Sequence, residues 1–178
     1  MNLTAPYDTA QPWTGKELVR VEDVYKHYPV GKTFFQRGHL TVHAVDGVSL
    51  SVLDGETLGL VGESGCGKST LGKLILRLET PSSGRILFED RDIAHIKGKD
   101  LKEIRRKMQV IFQDPYSSLN PRRTIKNTIM EPLVIHGIGD RAKRNQRVYE
   151  LMEEVGLRKD QATRYPHEFS GGQRQRIG

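Results

Sequence analysis

The chain has 178 residues, 36% hydrophobic and 28% charged, with 28 basic against 22 acidic side chains and a formal net charge of +6. No apolar run approaches the ~20 residues of a membrane-spanning helix, and the single cysteine, Cys66, excludes an internal disulfide and a site built from several cysteines. The basic side chains are scattered and are not interleaved with aromatic ones, so they predict solvated faces and no nucleic-acid partner.

The first third of the chain has the pattern of strands and turns. Residues 1–16 are predicted to be a flexible polar lead. Loose alternation of apolar and polar residues predicts an edge strand at 18–25, followed by a loop at 29–40. A clearer alternation predicts a half-buried strand at 48–53, and the turn signal Asp54-Gly55 ends it.

Two short apolar runs are typical of buried strands in a mostly parallel sheet. They are TLGLV at 57–61 and MQVIF at 108–112. Between them the pattern predicts helices at 70–78 and 99–106 and a short strand at 85–88. This alternation of strands and helices predicts an α/β core.

From about residue 124 onward, the sequence pattern predicts helices. Apolar side chains recur at i, i+3, i+4 and i+7 with charged residues between them, which is the pattern of an amphipathic helix. These positions are Val148, Leu151, Met152 and Val155. Gly156 is a predicted C-cap. The stretch 116–168 is therefore predicted to be a helical subdomain inserted into the α/β core.

The strongest chemical signal is the segment GESGCGKS at 62–69, which fits G-x-x-x-x-G-K-[ST]. Its glycines allow positive φ and close backbone approach, so that N–H groups can point at phosphate oxygens. Lys68 can reach the β- and γ-phosphates, and Ser69 offers a hydroxyl to Mg²⁺. Cys66 is interpreted as a small filler whose N–H matters, with a reactive thiol as the alternative. The predicted phosphate-binding residues are Gly62, Glu63, Ser64, Gly65, Cys66, Gly67, Lys68, Ser69 and Thr70.

A second motif, FSGGQ, begins at Phe169. Ser170 can cap the helix that starts there, and two glycines leave N–H groups open, which makes a second anion-binding helix N-terminus. An ordinary Ser-Gly-Gly turn is the alternative that the motif alone leaves open.

Together the two motifs resemble the ABC transporter ATPase family, in which a phosphate loop, a glutamine loop, a helical subdomain and an SGGQ signature follow in this order. The glutamine loop matches at Gln113 in VIFQDP. The stretches HAVDGVSL, GESGCGKSTLGK, VIFQDPYSSLNPR and RYPHEFSGGQRQRI are similar to the ATPase subunits of oligopeptide and dipeptide importers. Importers of nickel and other small solutes have much of the same sequence in these stretches.

The resemblance implies an α/β fold. It consists of a P-loop NTPase-type parallel core with an N-terminal antiparallel β part and an inserted α-helical subdomain, with the C-terminal strands missing. The ATPase domain is expected at 17–178, divided into a core with its β subdomain at 17–115 and the helical subdomain with the signature at 116–178.

The resemblance also implies roles for individual residues. Lys68 and Gln113 are expected to be catalytic, and Ser69 and Gln113 are expected to ligate Mg²⁺. Tyr28 is expected to stack on adenine, with Tyr25 as the competing candidate. His167, beside the signature, is interpreted as a residue of packing or of subdomain polarity, with a general base as the alternative. The residues expected to contact the γ-phosphate of ATP held by the other subunit are Ser170, Gly171, Gly172 and Gln173.

The family's partners are a second ATPase subunit, identical or related, two membrane-spanning permease subunits and, indirectly, a solute-binding protein. The expected location is the cytoplasmic face of the cell membrane. The sequence stops at Gly178, before the family's metal-binding Asp, catalytic Glu and switch His, so a fragment defective in hydrolysis is expected. The alternatives are an importer ATPase for nickel or another solute, a non-transport ABC ATPase, and a non-catalytic remnant.

Overall fold

The computed structural model describes residues 15–30, 40–112, 114 and 118–178. The chain divides into two compact units, Met1–Met108 and Gln109–Gly178, each with its own hydrophobic cluster. The predicted flexible lead falls almost wholly outside the described residues, and so does most of the predicted loop at 29–40. The predicted boundary between core and helical subdomain stays a prediction.

The first unit contains a four-stranded antiparallel sheet. Its strands are β1 (Glu17–Val30), β2 (Leu40–Leu53), β3 (Ser83–Phe88) and β4 (Arg91–Asp92), in the spatial order β2-β1-β3-β4. The predicted edge strand at 18–25 is therefore wrong as to its place, because β1 pairs with β2 on one side and with β3 on the other. The loose alternation of apolar and polar residues in β1 reflects its irregular pairing with its neighbours and not an exposed edge.

One irregularity in this pairing affects the direction of several side chains. Lys26 of β1 lies opposite Val45 of β2, whereas His27 lies opposite His43, so Ala44 is an extra residue on β2. Successive residues of a regular strand alternate between faces, and an extra residue reverses the alternation beyond it. His43 and Asp46 are three positions apart, yet they lie on the same face of the sheet.

Helices α1 (Lys68–Ile75) and α2 (Gly98–Lys107) contribute to the core of the first unit. Both were predicted, to within a few residues. The cluster combines alternate residues of the strands with the apolar positions of the helices, and burying each large aliphatic side chain contributes about 1.5–3 kcal/mol. Its buried members are Val19, Val21, Val24, Val45, Leu71, Leu74, Ile86, Phe88, Ile93 and Ile104.

The two predicted buried strands at 57–61 and 108–112 are wrong. Neither run is in a strand, and Val61 and Ile111 are 93% and 90% exposed. A strand of a parallel sheet needs hydrogen-bonded neighbours for its backbone and cover on both faces. Among the residues that the structure describes, no strand pairs with either run, so apolar composition alone did not form β structure.

The second unit is helical, as expected. It contains α3 (Ile125–Ile135), α4 (Arg141–Glu154) and α5 (Gly171–Ile177), with 3₁₀ turns at Lys159–Thr163 and Pro166–Glu168. In the part of the chain that the structure describes, a sheet together with five helices confirms the α/β class. Within the described ranges, no helix combines the length and the apolarity that crossing a membrane requires.

The end of α4 follows the predicted pattern. Val148 and Met152 are fully buried in a cluster with Ile125. Gly156 has φ of 73°, and the N–H of Leu157 donates to the Met152 carbonyl at 2.8 Å, which closes the helix in the manner of a glycine C-cap.

Candidate functional site

The glycine-rich loop lies against the backbone of β2. Gly67 is the N-cap of α1 with φ of 95°, and a Cβ there would stand 2.1 Å from the Ala44 carbonyl oxygen. Only glycine fits, because both the conformation and the space exclude a side chain. Gly65 also has positive φ, as predicted. Gly62 has no positive φ, but a Cβ there would stand 2.8 Å from the Cys66 sulfur.

The Lys68 ammonium lies on the concave side of this loop. Nζ donates to the carbonyl oxygens of Gly62 at 2.8 Å and Glu63 at 2.5 Å, and it lies 3.6 Å from the exposed Cys66 Sγ. The Cys66 N–H donates to the Glu63 carbonyl at 3.3 Å, which tightens the loop. Neutral carbonyls hold the ammonium here, so a negatively charged ligand can compete for it.

A cleft of about 490 Å³ opens beside the loop, within the size range of small-molecule sites. The first turn of α1 contains no acidic residue, so its partial positive charge is not offset locally. The cleft is lined by Ser64, Gly65 and residues 67–70, and by Val42, His43 and Ala44 of β2. The β2 residues were missed, because no motif marks them and only the strand pairing brings them to the loop.

Tyr28 lies next to the cleft but is not among the residues that line it. Its hydroxyl donates to the Glu79 carboxylate. That hydrogen bond is the main reason why the pKa of Tyr28 is raised, while a hydrogen bond from Thr70 opposes the rise. The Lys26 ammonium lies 4.9 Å from the ring centroid. Adenine stacking by Tyr28 stays a prediction.

Tyr25, the competing candidate, points into a different environment. A hydrogen bond with Asp23 raises the pKa of its hydroxyl, and its ring packs edge-on against His27 with centroids 5.8 Å apart. Gln113, the predicted glutamine-loop residue, lies outside the described residues.

The signature segment begins α5 in the second unit. Ser170 Oγ accepts from the Gln173 N–H at 3.3 Å, and Gln173 Oε1 accepts from the Ser170 N–H at 3.0 Å. This reciprocal capping box anchors the helix start, and the buried ring of Phe169 fixes it to the second cluster. At Gly172 nothing lies within 4 Å of the place that a Cβ would occupy, so the backbone there is open to a ligand.

His167 packs beside the signature. Its ring stacks on Tyr165 with an interplanar angle of 10° and centroids 5.8 Å apart. Its carbonyl accepts a hydrogen bond from Arg174 at 3.4 Å. His167 is exposed, and its role stays a prediction.

A family model described as ABC transporter matches residues 45–178, which contain both motifs. The chain belongs to the ABC transporter family. Among curated relatives, the oligopeptide transport ATP-binding proteins OppF and AppF of Bacillus subtilis are 59% and 51% identical, over 92% and 90% of this chain. The glutathione import ATP-binding protein GsiA of Pectobacterium atrosepticum is 46% identical over 97% of this chain. The chain spans 52%, 49% and 27% of the length of these three relatives.

Solved structures of the family have a similar fold. The dimeric ATP-binding cassette MJ0796, in a post-hydrolysis state bound to ADP and Pi, superposes with a TM-score of 0.72 at 28% identity, over 89% of this chain and 66% of that one. cbiO1 from Clostridium perfringens, part of the transporter complex cbiONQ, gives a TM-score of 0.67 at 25% identity, over 90% and 59% of the two chains.

Proposed function

We propose that this chain is the ATP-binding part of an ABC-type importer of oligopeptides or dipeptides. The observation that carries the proposal is the Lys68 ammonium, enclosed by the carbonyls of the glycine-rich loop beside an open cleft at the start of α1. The printed names of the relatives, which import oligopeptides or glutathione, support the peptide class of solute. They favour this class over nickel import.

The residues present fit a nucleoside triphosphate with its Mg²⁺. Lys68 would move from the loop carbonyls to the β- and γ-phosphates, and the N–H groups of 67–70 would donate to phosphate oxygens. The Ser69 hydroxyl lies in the cleft and would be the protein's metal ligand there. Bound ATP supplies the phosphoanhydride bond whose hydrolysis drives transport. Gln113 is proposed as a second ligand of the metal and as the residue that positions the attacking water.

The signature residues 170–173 are proposed to contact ATP held by a second ATPase subunit, so that two subunits enclose two nucleotides. Closing and opening of that pair would drive two membrane-spanning permeases at the cytoplasmic face. The open backbone at Gly172 and the fixed start of α5 support this role.

The nucleotide site is tested by equilibrium dialysis of labelled ATP with Mg²⁺ against the purified chain. We expect Lys68→Ala to weaken binding at least about tenfold, because one charge-assisted phosphate contact contributes about 1.5–3 kcal/mol. Lys102→Ala removes the same charge from the exposed face of α2 and should bind as the wild type does. Equal affinity of the wild type and Lys68→Ala, or no binding by the wild type, would contradict the proposal.

The transport role is tested in cells of the source organism whose own copy of the gene is disrupted. Uptake of a labelled tripeptide should fall and should return with the intact gene, but not with its Lys68→Ala form. Unchanged uptake of di-, tri- and oligopeptides, with loss of nickel uptake instead, would assign the solute to the alternative class.

A further inference from the structure

The Ala44 bulge brings two histidines and an aspartate together on one face of the sheet. His27 and His43 lie directly opposite each other on β1 and β2, with ring centroids 4.1 Å apart. Asp46 Oδ1 stands 3.8 Å from His27 Nε2 and 3.8 Å from His43 Nδ1. The three donor atoms all lie within 4.8 Å of one another.

These distances are too long for hydrogen bonds and close to what metal coordination needs. In a tetrahedral site with bonds of about 2.0–2.1 Å, neighbouring donor atoms are about 3.3 Å apart. The carboxylate oxygen therefore needs to approach each nitrogen by only about 0.5 Å. The Asp46 side chain is 63% exposed, so few neighbours oppose its rotation. The two nitrogens lie within 4.8 Å of each other and need to approach by at most about 1.5 Å.

The His27 side chain provides an independent sign of a missing partner. Its Nε2 is buried, and among the described residues no hydrogen-bond partner reaches it. A buried polar atom without a partner is costly and calls for an explanation. The nearest opposite charge is Asp46, which stands beyond hydrogen-bond distance.

We propose that His27, His43 and Asp46 form a binding site for a divalent transition-metal ion of the Zn²⁺ class. Two imidazole nitrogens and one carboxylate oxygen suit Zn²⁺, Ni²⁺ or Cu²⁺, whereas Mg²⁺ prefers oxygen ligands only. Three protein donors leave a coordination position for water. The site therefore has a different set of ligands from a site for the Mg²⁺ that accompanies a nucleotide. The metal site is proposed independently of the nucleotide site.

The position of His43 places this site beside the glycine-rich loop. His43 is a ligand candidate on β2 and also lines the cleft that Ser64 and residues 67–70 share. A bound ion would hold β1 and β2 together where Ala44 contacts Gly67. Metal occupancy would therefore fix the wall of the cleft that β2 provides.

The test is a titration of the nucleotide-free chain with Zn²⁺ in competition with a fluorescent chelator. We expect one equivalent to bind, and His43→Gln and Asp46→Asn each to weaken binding at least about tenfold, since even outer-shell partners of metal ligands have effects of this size. His95→Gln removes an exposed histidine elsewhere in the same unit and should bind as the wild type does. Millimolar Mg²⁺ should not displace the ion.

Co²⁺ provides a second readout that does not depend on affinity. Visible absorption bands of a low-symmetry Co²⁺ complex should appear with the wild type and His95→Gln, and should be lost with Asp46→Asn. Because Asp46 is exposed, circular dichroism should show this variant folded. No Zn²⁺ binding by the wild type, or equal binding by all these variants, would overturn the proposal.

Discussion

Gly67 is the residue at which the glycine-rich loop and the sheet contact each other most closely. Its backbone touches the Ala44 carbonyl of β2 and starts α1 in the left-handed conformation. Gly72, five residues later inside α1, has neither constraint, because a Cβ there meets nothing within 4 Å and its φ is ordinary. Two glycines of the same segment therefore have different physical roles, which composition cannot distinguish.

Replacing these two glycines should have opposite effects. Gly67→Ala should lower the free energy of unfolding by more than about 1 kcal/mol and weaken ATP binding, because positive φ and the Ala44 oxygen both oppose a Cβ. Gly72→Ala should raise the free energy of unfolding by about 0.4–1 kcal/mol, since alanine restricts the unfolded chain and favours helix. Chemical denaturation measures both. A destabilised Gly72→Ala would contradict the open surroundings of Gly72.

The motif predicted which residues of the glycine-rich loop line the cleft, but not which other residues surround them. The motif located Lys68 and Ser69 in the cleft because each position of a phosphate loop has one chemical task. His43 was missed as a cleft residue, and its proximity to His27 was missed too, because 16 positions separate them in the sequence. Their contact depends on strand register and on the bulge at Ala44, which no local pattern reveals.

At the scale of elements, helices were predicted better than strands. The helix expected at 99–106 is Gly98–Lys107, because caps and periodicity are local signals. The apolar runs 57–61 and 108–112 had the right composition for strands, but strand formation depends on partners elsewhere in the chain. The same reason explains why β1 was misplaced at an edge.

The apolar stripe of α4 gives a prediction at this scale. Met152 is fully buried, whereas Val155 lies just beyond the helix and is 36% exposed. Met152→Ala should lower the free energy of unfolding by about 2–5 kcal/mol, through lost burial and a cavity. Val155→Ala should change it by no more than about 0.5 kcal/mol.

Urea denaturation followed by circular dichroism compares the two variants. Equal losses would mean that the sequence stripe, and not the difference in burial between Met152 and Val155, determines stability in this unit.

At the scale of the whole molecule, charge and apolar surface are distributed differently. Many of the basic residues are paired with acidic neighbours, for example Arg147 with Glu150 and Glu154, and Arg158 with Asp160. Exposed ion pairs of this kind contribute little to stability, but they agree with the prediction of solvated faces. Among the described residues, six of the fourteen exposed large apolar side chains lie in the runs 57–61 and 108–112, where they follow one another closely in the sequence.

These exposed runs should make the isolated chain self-associate, because contiguous apolar surface without cover promotes aggregation. Ile111→Lys and Val61→Lys should each lower static light scattering at a given concentration. Thr163→Lys and Ser51→Lys add the same charge at exposed polar positions of the same two units and should lower it less. Equal effects of all four would assign the change to net charge alone.

The extra residue in β2 also limits how this part of the gene can change in length. If Ala44 were deleted, the ladder would become regular and His43 would still lie opposite His27, but Gly67 would lose its contact with the Ala44 carbonyl. A single lost codon would then leave the two histidines paired and remove the contact that holds the glycine-rich loop against the strand. Codon deletions should therefore be tolerated far less at this point of the strand than substitutions of the alanine itself.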